Sequence, residues 1–485
     1  MSSENTRPRT LEELKASGYR PQTIRDELRR NLKNRIAGGE VFFPGIIGYG
    51  HTVVPKIENA LLAGHDMIFL GERGQGKTRI IRSLVELFDE YLPIIKGSEV
   101  HDNPFAPISR YGKDILAEHG DAAEIEWVHR SRRYAEKLAT PDTNAAELIG
   151  EIDPIKVAEG RYLSDELTIH YGLIPRANRG IFAINELPDL AEKVQVSLFN
   201  ILEERDIQIK GYTIRLPLDI VVVATANPED YTSRGRIITP LKDRYSAHIR
   251  THYPHDRATE MAIVDQEMAH YERGEHQLIL PQHMKEIVAE ITFQARQSPD
   301  VNQVSGVSVR MSISNMESLI SSAEKRALRN EEKEIVPRIT DLDALLSTTD
   351  GKLELEYGSQ EKTQEQVIQK LIQGAVLAVF TEKIEPEDLE PLVTNFQEGW
   401  WVEVSDTLPF SHYTGQLAGL KGMRHGLERL NVGESPGEMA SAIEFILEGL
   451  HLCNKLNKDV EISEGKVIYN EASKVQPMGR NSEMA

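Results

Sequence analysis

One short run of residues has the types and spacing needed for phosphate chemistry: Gly71-Glu72-Arg73-Gly74-Gln75-Gly76-Lys77-Thr78, which fits G-x-x-x-x-G-K-[ST]. Its glycines let backbone N–H groups turn toward phosphate oxygens, and a helix starting at its end adds positive partial charge. In such a loop the lysine contacts the β- and γ-phosphates of a nucleotide, and the threonine ligates Mg²⁺. An apolar run, Met67–Leu70, precedes the loop and a helical pattern follows it. The sequence therefore predicts a nucleotide site on a strand-loop-helix unit.

A second predicted strand, Ile181–Ile184, ends in Asn185-Glu186. A phosphate-loop ATPase needs a carboxylate at the end of a neighbouring strand, where it organises Mg²⁺ and activates water. Glu186 occupies the place of a catalytic base, and Asn185 occupies a place where an aspartate is usual. The amide of Asn185 keeps an acceptor oxygen but lacks the charge, so it would hold Mg²⁺ through water and weakly. The alternative is a switch that binds nucleotide without turnover.

Three further polar residues stand at the ends of predicted elements. Asn227 follows the apolar strand Ile220–Ala224 and can orient an attacking water, the alternative being a turn asparagine before proline. Arg244 ends one element and Arg310 opens a later helix. Either arginine can supply positive charge to a transition state, although a lone arginine is usually a surface residue.

The elements that must position these residues change in character along the chain. Short apolar runs alternate with helical stretches up to about residue 248, which predicts a parallel α/β sheet. Residues 10–37 have helical spacing that Gly38-Gly39 stop, and the signal after residue 250 is mostly helical. We therefore expect an N-terminal helical segment (1–39), a nucleotide-binding α/β domain (40–250), a helical lid (251–345) and a mainly helical C-terminal region with a disordered tail (346–485).

Composition excludes several classes of protein. A chain of 485 residues is long enough for two or three domains, and 56 basic against 76 acidic residues give a net charge of −20. A surface so acidic makes general nucleic-acid binding unlikely to be the function. The single cysteine, Cys453, excludes an intramolecular disulfide. With no apolar leader and no run of about 20 apolar residues, we expect a cytoplasmic protein without membrane insertion.

Taken in order, these motifs resemble an AAA+ ATPase, specifically the branch of the magnesium chelatase I subunit and the MoxR-type ATPases. Besides the loop, the resemblance is carried by Phe43–Gly48, by the stretches Ala146–Asp153, Glu159–Arg161 and Gly172–Gly180 of a helix-2 insert, and by a hairpin over Asp206–Leu216 with Lys210-Gly211 at its turn. It covers about residues 40–330 and fades in the last third.

The resemblance implies an AAA+ P-loop sheet with a helix-2 insert, ATP and Mg²⁺ as cofactors, and a nucleotide held between adjacent subunits of a ring, usually a hexamer. By position, Asn227 matches sensor 1, Arg244 matches the arginine finger and Arg310 matches sensor 2. Ile46 and Ile47 match the segment leading to the adenine pocket. The chain has no D-x-S-x-S pattern, and members of the branch commonly work with a separate protein that carries a von Willebrand A domain.

Three functions follow from this reading. The first is a ring-forming ATPase that remodels a protein partner in the MoxR manner. The second is the ATPase subunit of a magnesium chelatase, and the third is a nucleotide-gated scaffold with slow turnover. A σ54 activator is disfavoured because no GAFTGA-like loop is present, and a helicase is disfavoured by the acidic charge.

Overall fold

The computed structural model describes residues 7–153, 155, 158, 166–208, 215–227, 236–356, 363–417, 420–461 and 466–472. The chain divides into two compact units, Met1–His252 and Tyr253–Ala485. No helix within the described ranges is long and apolar enough to span a membrane.

The first unit is built around a parallel sheet. Its strands are β1 Met67–Leu70, β2 Tyr91–Ile95, β3 Ile125–His129, β4 Tyr134–Leu138, β5 Gly150–Ile152, β6 Ile169–Tyr171, β7 Gly180–Asn185, β8 Asp206–Gln208, β9 Arg215–Pro217, β10 Ile220–Ala226 and β11 Ala247–Arg250. Its helices are α1 Leu11–Ala16, α2 Ile24–Gly38, α3 Val54–Ala63, α4 Lys77–Ser83, α5 Arg110–His119, α6 Ala145–Ile149, α7 Leu173–Arg176, α8 Glu192–Ser197, α9 Phe199–Glu203 and α10 Thr239–Arg244.

Five strands pair in the order β11-β1-β10-β7-β4, and every pairing is parallel. The predicted α/β sheet is confirmed, with Met67–Leu70, Ile181–Ile184 and Ile220–Ala224 in one sheet. Successive residues of β10 are buried on opposite faces: Val221 and Val223 belong to one apolar cluster, and Val222 and Ala224 to another. Burial on both faces explains why the strands are continuous apolar runs.

Three small antiparallel pairs flank this sheet: β2 with β3, β5 with β6, and β8 with β9. Strand β5 lies within Ala146–Asp153, one of the stretches expected to form the helix-2 insert, and β6 lies directly before another, Gly172–Gly180. Strands β8 and β9 form a hairpin where one was expected, with β9 ending at Pro217, one residue beyond the predicted range. Glu159–Arg161 and the hairpin turn Lys210-Gly211 lie outside the described residues.

The N-terminal segment forms two helices rather than the single helix that residues 10–37 predict. Helix α1 ends at Ala16, Gly18 has φ 73°, and Thr23 caps α2 by accepting a hydrogen bond from the Asp26 N–H at 3.2 Å. The predicted stop is confirmed, because α2 ends at Gly38 and Gly39 is left-handed with φ 68°.

Helix α2 closes the amino edge of the sheet, where a charged residue stands directly before each of four strands. These residues, which we call the amino-edge network, are Asp66 before β1, Arg133 before β4, Arg179 before β7 and Asp219 before β10. Both Glu27 oxygens accept from the buried Arg133 guanidinium at 2.7 and 2.6 Å. The Ile24 N–H donates to Asp219 Oδ2 at 2.8 Å. Two basic residues of α2 also make structural contacts, because Arg25 and Arg29 donate to the carbonyls of Gly64 and Leu62 at 2.7 and 2.8 Å.

The second unit is mostly helical, with a small antiparallel sheet in the order β14-β16-β15. Its helices are α11 Arg257–Glu267, α12 Gln282–Ala295, α13 Val309–Arg329, α14 Leu345–Thr349, α15 Gln364–Lys383, α16 Glu390–Gln397, α17 Phe410–Gln416, α18 Met423–Arg429 and α19 Pro436–Leu452. Its strands are β12 Gln277–Leu278, β13 Glu334–Ile335, β14 Val402–Ser405, β15 Leu456–Glu461 and β16 Lys466–Glu471.

One apolar core fills this unit. Met284 of α12, Val379 of α15 and Phe445 of α19 belong to the same cluster, so residues on both sides of position 345, the expected lid boundary, share it. The tail expected to be disordered, the last fifteen or so residues, lies outside the described residues except for residues 471 and 472.

Candidate nucleotide site

The phosphate loop joins the carboxyl end of β1 to the first residue of α4. Gly74 and Gly76 have φ values of 74° and 71°, a backbone region that favours glycine, and Gly76 stands directly before α4. Lys77 is only 7% exposed. Its ammonium donates to the Glu72 carbonyl at 2.8 Å, to the Gly71 carbonyl and to Asn227 Oδ1 at 2.6 Å. The loop therefore curls around a buried cation.

Asn227 connects that cation to the predicted base. Its Nδ2 donates to Glu186 Oε2 at 2.7 Å while its Oδ1 accepts from Lys77. Glu186 follows β7 with φ 55°, and its backbone N–H donates to the buried Thr225 hydroxyl at 3.0 Å. Neighbouring parallel strands thus bring Lys77, Asn227 and Glu186 into one connected group at the carboxyl edge of the sheet.

Thr78 and Asn185 meet beside this group. The Thr78 hydroxyl donates to Asn185 Oδ1 at 3.3 Å, and Asn185 is the last residue of β7. The two residues proposed for Mg²⁺ are therefore adjacent. Their two oxygen atoms are both neutral, so the charge missing at residue 185 is not replaced by either of them.

A second set of contacts holds the loop from outside. Thr251, which follows β11, donates its hydroxyl to Gln75 Oε1 at 2.6 Å. The Tyr49 hydroxyl contacts the carbonyls of Gln75 and His252 at 2.8 and 2.7 Å, and burial raises the pKa of Tyr49 to about 12. A Cβ added at Gly71 would lie 2.0 Å from Thr251 Oγ1. The first glycine of the loop is therefore required by this close approach.

The remaining predicted residues of the loop and of the adenine side differ in exposure. Arg73 is exposed, whereas Glu72 and Gly74 are half-buried. Ile46 packs against the same apolar cluster as Phe43, and Ile47 is half-buried. A Cβ added at Gly45 would lie 3.3 Å from Arg79 Nη2, which shows that the 43–48 segment runs beside α4.

The two predicted arginines are in different units. Arg244, the last residue of α10, pairs with Glu203 at 2.9 and 2.5 Å, donates to the Pro240 carbonyl at 2.7 Å and lies 4.4 Å from the Phe199 ring centre. Arg310 is exposed at the start of α13 in the second unit, where Ser308 caps the helix.

Sequence reasoning missed the residues that support the site. Tyr49, Thr225 and Thr251 make the contacts described above, but none belongs to a recognised motif. Two of them carry a weak signal: Thr225 is in β10 two residues before Asn227, and Thr251 directly follows β11. Polar residues at the carboxyl ends of parallel strands are where such a fold binds ligands.

Comparison with known proteins shows which proteins this part of the chain resembles. Residues 112–245 match the family described as AAA domain (dynein-related subfamily). The chain is 27% identical over 221 residues to magnesium-chelatase subunit ChlI of Nostoc sp., which covers 44% of this chain and 53% of that protein. It is 26% identical over 231 residues to the magnesium-chelatase 38 kDa subunit of Cereibacter sphaeroides, covering 46% and 62%.

The first unit has the AAA+ fold and is similar in sequence to magnesium-chelatase I subunits. Its phosphate loop precedes the matched range 112–245. The chain spans 53% to 62% of the length of these two relatives. A solved complex between subunits BchI and BchD of magnesium chelatase is 17% identical, with a TM-score of 0.34 over 66% of this chain and 98% of that one. The sheet order of the first unit is the basis for the AAA+ fold, and the low TM-score to the chelatase complex is not.

Proposed function

We propose that the chain binds ATP with Mg²⁺ at the carboxyl edge of the five-stranded sheet and hydrolyses it. One observation carries this proposal: the predicted phosphate-binding lysine, sensor asparagine and catalytic glutamate form one continuous chain of hydrogen bonds. These residues follow three neighbouring strands, β1, β10 and β7, and the strand order brings their side chains together. The AAA family match and the chelatase relatives support the same activity.

The loop fits a triphosphate. A Cβ added at Gly76 meets nothing within 4 Å, so there is open space at the start of α4, where helix N–H groups favour anions. Lys77 stands at this helix start with its charge inside the loop. The Lys77 ammonium now donates to two carbonyls and to Asn227. When a nucleotide binds, it would donate to phosphate oxygens instead.

Thr78 and Asn185 can bind Mg²⁺, but the pair lacks the negative charge of the aspartate that is usual at position 185. Within the described residues, no group of three His, Cys, Asp or Glu side chains is placed to hold a metal. Mg²⁺ in such sites is bound by few protein ligands together with substrate phosphates, and Thr78 with Asn185 would be those ligands here. When bound, Mg²⁺ neutralises phosphate charge.

Glu186 and Asn227 carry the proton chemistry. Glu186 accepts the proton of the attacking water, and Asn227 holds the carboxylate in place through its Nδ2 donor. Because the Asn227 amide also accepts from Lys77, one side chain aligns the base with the phosphate-binding cation. This coupling explains why an amide, with both a donor and an acceptor, occupies position 227.

The test is ATP hydrolysis by purified protein. Lys77→Ala removes the cation and should lower the rate at least about 100-fold or abolish ATP binding. Lys56→Ala, an exposed lysine on α3, is the matched control and should leave the rate unchanged. Equal rates for Lys77→Ala and Lys56→Ala would disprove the site.

We further propose that the site is shared in a ring, usually of six subunits in this branch, in which Arg244 acts on the neighbour's ATP. The ring would remodel a protein partner in the MoxR manner in the cytoplasm, together with a separate protein that carries a von Willebrand A domain. Arg244 supports this role because it ends α10 and its ion-pair partner, Glu203, is exposed, so that the pair lies at the surface beside the contacts with the Pro240 carbonyl and the Phe199 ring. Its exchange to a phosphate would cost little, since surface ion pairs contribute at most about 1 kcal/mol.

Mixing two inactive variants tests the shared site. Glu186→Gln lacks the base but keeps Arg244, and Arg244→Ala lacks the finger but keeps the base. In a mixed ring some sites combine an intact base with an intact finger, so the mixture should recover a measurable part of wild-type ATPase activity. A mixture as inactive as its components would exclude a finger supplied between subunits.

Two other functions remain open, each on its own observation. The relatives are named as magnesium-chelatase subunits, which favours an ATPase subunit of a chelatase. Asn185 favours a nucleotide-gated scaffold with slow turnover. Neighbouring genes for chelatase D and H subunits, as opposed to a von Willebrand A protein, would distinguish the chelatase from the remodelling ATPase. A phosphate-release assay would identify the scaffold.

A further inference from the structure

The second unit exposes two adjacent tryptophans that the proposed function does not use. Trp400 is 44% exposed and Trp401 is 61% exposed. Tryptophan is usually largely buried, and it is enriched where proteins bind one another. The pair follows α16 and precedes β14, so both rings are carried on a short connection between two packed elements.

A cavity opens where this connection separates from the sheet. Val402 of β14 pairs with Tyr469 of β16, but the chain before Val402 leaves that strand. The last residues of β16, Asn470 and Glu471, pair only with β15, on their other side. The space between holds about 450 Å³. Its shape is fixed by the backbone, because Gly399 has φ 98° and the Trp400 N–H donates to the Asn395 carbonyl at 3.2 Å.

The lining of this cavity combines aromatic rings with one carboxylate. Its apolar wall is formed by Phe396, Trp400, Trp401 and Ile468, and its polar side by Asn470 and Glu471. Asn470 Nδ2 already donates to Asp459 Oδ2 at 2.6 Å. No cation or donor in the described part of the chain pairs with the Glu471 carboxylate. An acceptor without a partner therefore stands beside two accessible indole rings.

These groups share a preference for cations. The face of an indole ring is negative and attracts guanidinium or ammonium groups, and the attraction is strongest for tryptophan. Guanidinium is planar, so it can stack on the ring while it pairs with a carboxylate. A chain with net charge −20 also attracts basic partners over long range.

We propose that this cavity, the tryptophan pocket (Phe396, Trp400, Trp401, Ile468, Asn470 and Glu471), binds an arginine side chain on a basic segment of a partner protein. The rings cover the guanidinium plane and Glu471 neutralises its charge. We take the occupant to be a protein segment because arginine side chains present guanidinium groups on proteins, and the two tryptophans that line the pocket are exposed to such a partner. This site is independent of the nucleotide site and of ATP hydrolysis.

Intrinsic fluorescence of the full-length chain tests the pocket. The chain has three tryptophans, and Trp127→Phe removes the one in the first unit, so emission then reports the pocket alone. The probe is acetyl-Gly-Arg-Gly-Arg-Gly-amide, and the reference is the same peptide with citrulline at both arginines, which keeps the shape and removes the charge. We expect saturable quenching by the arginine peptide and at least about tenfold weaker binding of the citrulline peptide.

A matched pair of charge variants distinguishes binding in the pocket from general electrostatic attraction of the basic peptide to the acidic protein. In the Trp127→Phe background, Glu471→Gln should weaken arginine-peptide binding about tenfold. Glu434→Gln, an exposed glutamate of the same unit outside the pocket, should leave it unchanged. Equal binding by the two variants, or equal binding of the two peptides, would overturn the proposal.

Other occupants would also be recognised. Emission that changes with protein concentration in the absence of peptide would mean that a second copy covers the pocket. A chain ending at residue 472 whose emission differs from that of the full chain would mean that residues 473–485 fill it. Either result would replace the proposed partner. Calorimetric titration of the unlabelled wild-type chain with the two peptides repeats the comparison without any substitution.

Discussion

At the scale of single residues, the nucleotide site is organised by amide side chains more than by charged ones. Asn227 joins Lys77 to Glu186, and Asn185 joins Thr78 to the end of β7. An amide can donate and accept at once, which a carboxylate cannot do. The candidate site therefore gains alignment of the groups proposed for catalysis, and it loses one negative charge close to the proposed metal.

Restoring that charge gives a direct prediction. Asn185→Asp should lower the Mg²⁺ concentration needed for half-maximal ATPase rate, because a carboxylate attracts the metal more strongly than an amide does. The wild-type protein should need free Mg²⁺ well above the ATP concentration. The measurement is ATPase rate against free Mg²⁺ for both proteins, at concentrations where assembly is complete. Superimposable curves would place residue 185 outside the metal's influence.

How far the sequence can predict such a site depends on whether a contact is local. The loop Gly71–Thr78 could be recognised because the loop and its flanking elements are contiguous in the sequence. Asn185, Glu186 and Asn227 could be recognised because each stands at the end of an apolar strand. The Lys77–Asn227 and Thr251–Gln75 bonds join residues 150 and 176 positions apart. Only the strand order, which places β1 between β10 and β11, brings them together.

At the scale of elements, α2 and the sheet depend on one another through buried charges. Arg133 is fully buried and Glu27 is 4% exposed, so each is the other's main compensation for lost hydration. The helical spacing of α2 correctly predicts an amphipathic helix, but the sequence cannot show that its glutamate faces a guanidinium before β4. A buried ion pair of this kind is revealed only by the packed structure.

Breaking this pair should destabilise the first unit. Glu27→Gln leaves a buried guanidinium without a counter-charge and should lower the free energy of unfolding by about 3 kcal/mol. The control is Glu86→Gln, which removes a carboxylate 53% exposed and 4.0 Å from Arg35, and it should cost less than about 1 kcal/mol. Urea unfolding followed by circular dichroism measures both.

The double substitution Glu27→Met with Arg133→Met refines the test. Apolar replacement of both partners removes the uncompensated charge, so it should recover part of the stability lost in Glu27→Gln. If the double variant is less stable than the single one by more than the error, the remaining contacts of Arg133 with the Arg179 carbonyl matter more than its charge.

At the scale of the whole molecule, each unit contains one histidine that folding keeps neutral. Burial lowers the pKa of His101 in the first unit to about 4 and that of His283 in the second to about 3. His283 also stacks on Phe445 with ring centres 4.7 Å apart. An unfolded histidine has a pKa near 6.5, so in both units the unfolded chain binds a proton that the folded chain does not.

Stability should therefore fall as the pH drops below about 6.5. Because the unfolded state binds more protons there, the free energy of unfolding decreases by up to about 1.4 kcal/mol per pH unit for each histidine. Urea unfolding at several values between pH 7 and 5 measures the slope, since ordinary carboxylates stay ionised in that range. His283→Gln should reduce the slope, and the exposed control His119→Gln should not. Equal slopes for these two variants would contradict the assignment.

The hydrogen bond between the Ile24 N–H and Asp219 Oδ2 spans 195 residues and has a consequence for synthesis on the ribosome. At about 5–20 residues per second, α2 waits roughly 10–40 seconds for the carboxylate that accepts from its first N–H group. During that time Leu28 and Leu32, which end up buried, lack the strands that cover them. β1, which carries the phosphate loop, is also without both of its neighbours until β10 and β11 have left the exit tunnel. We therefore expect the nascent first unit to be bound by chaperones that recognise exposed apolar helices, and its phosphate loop to be among the last parts completed.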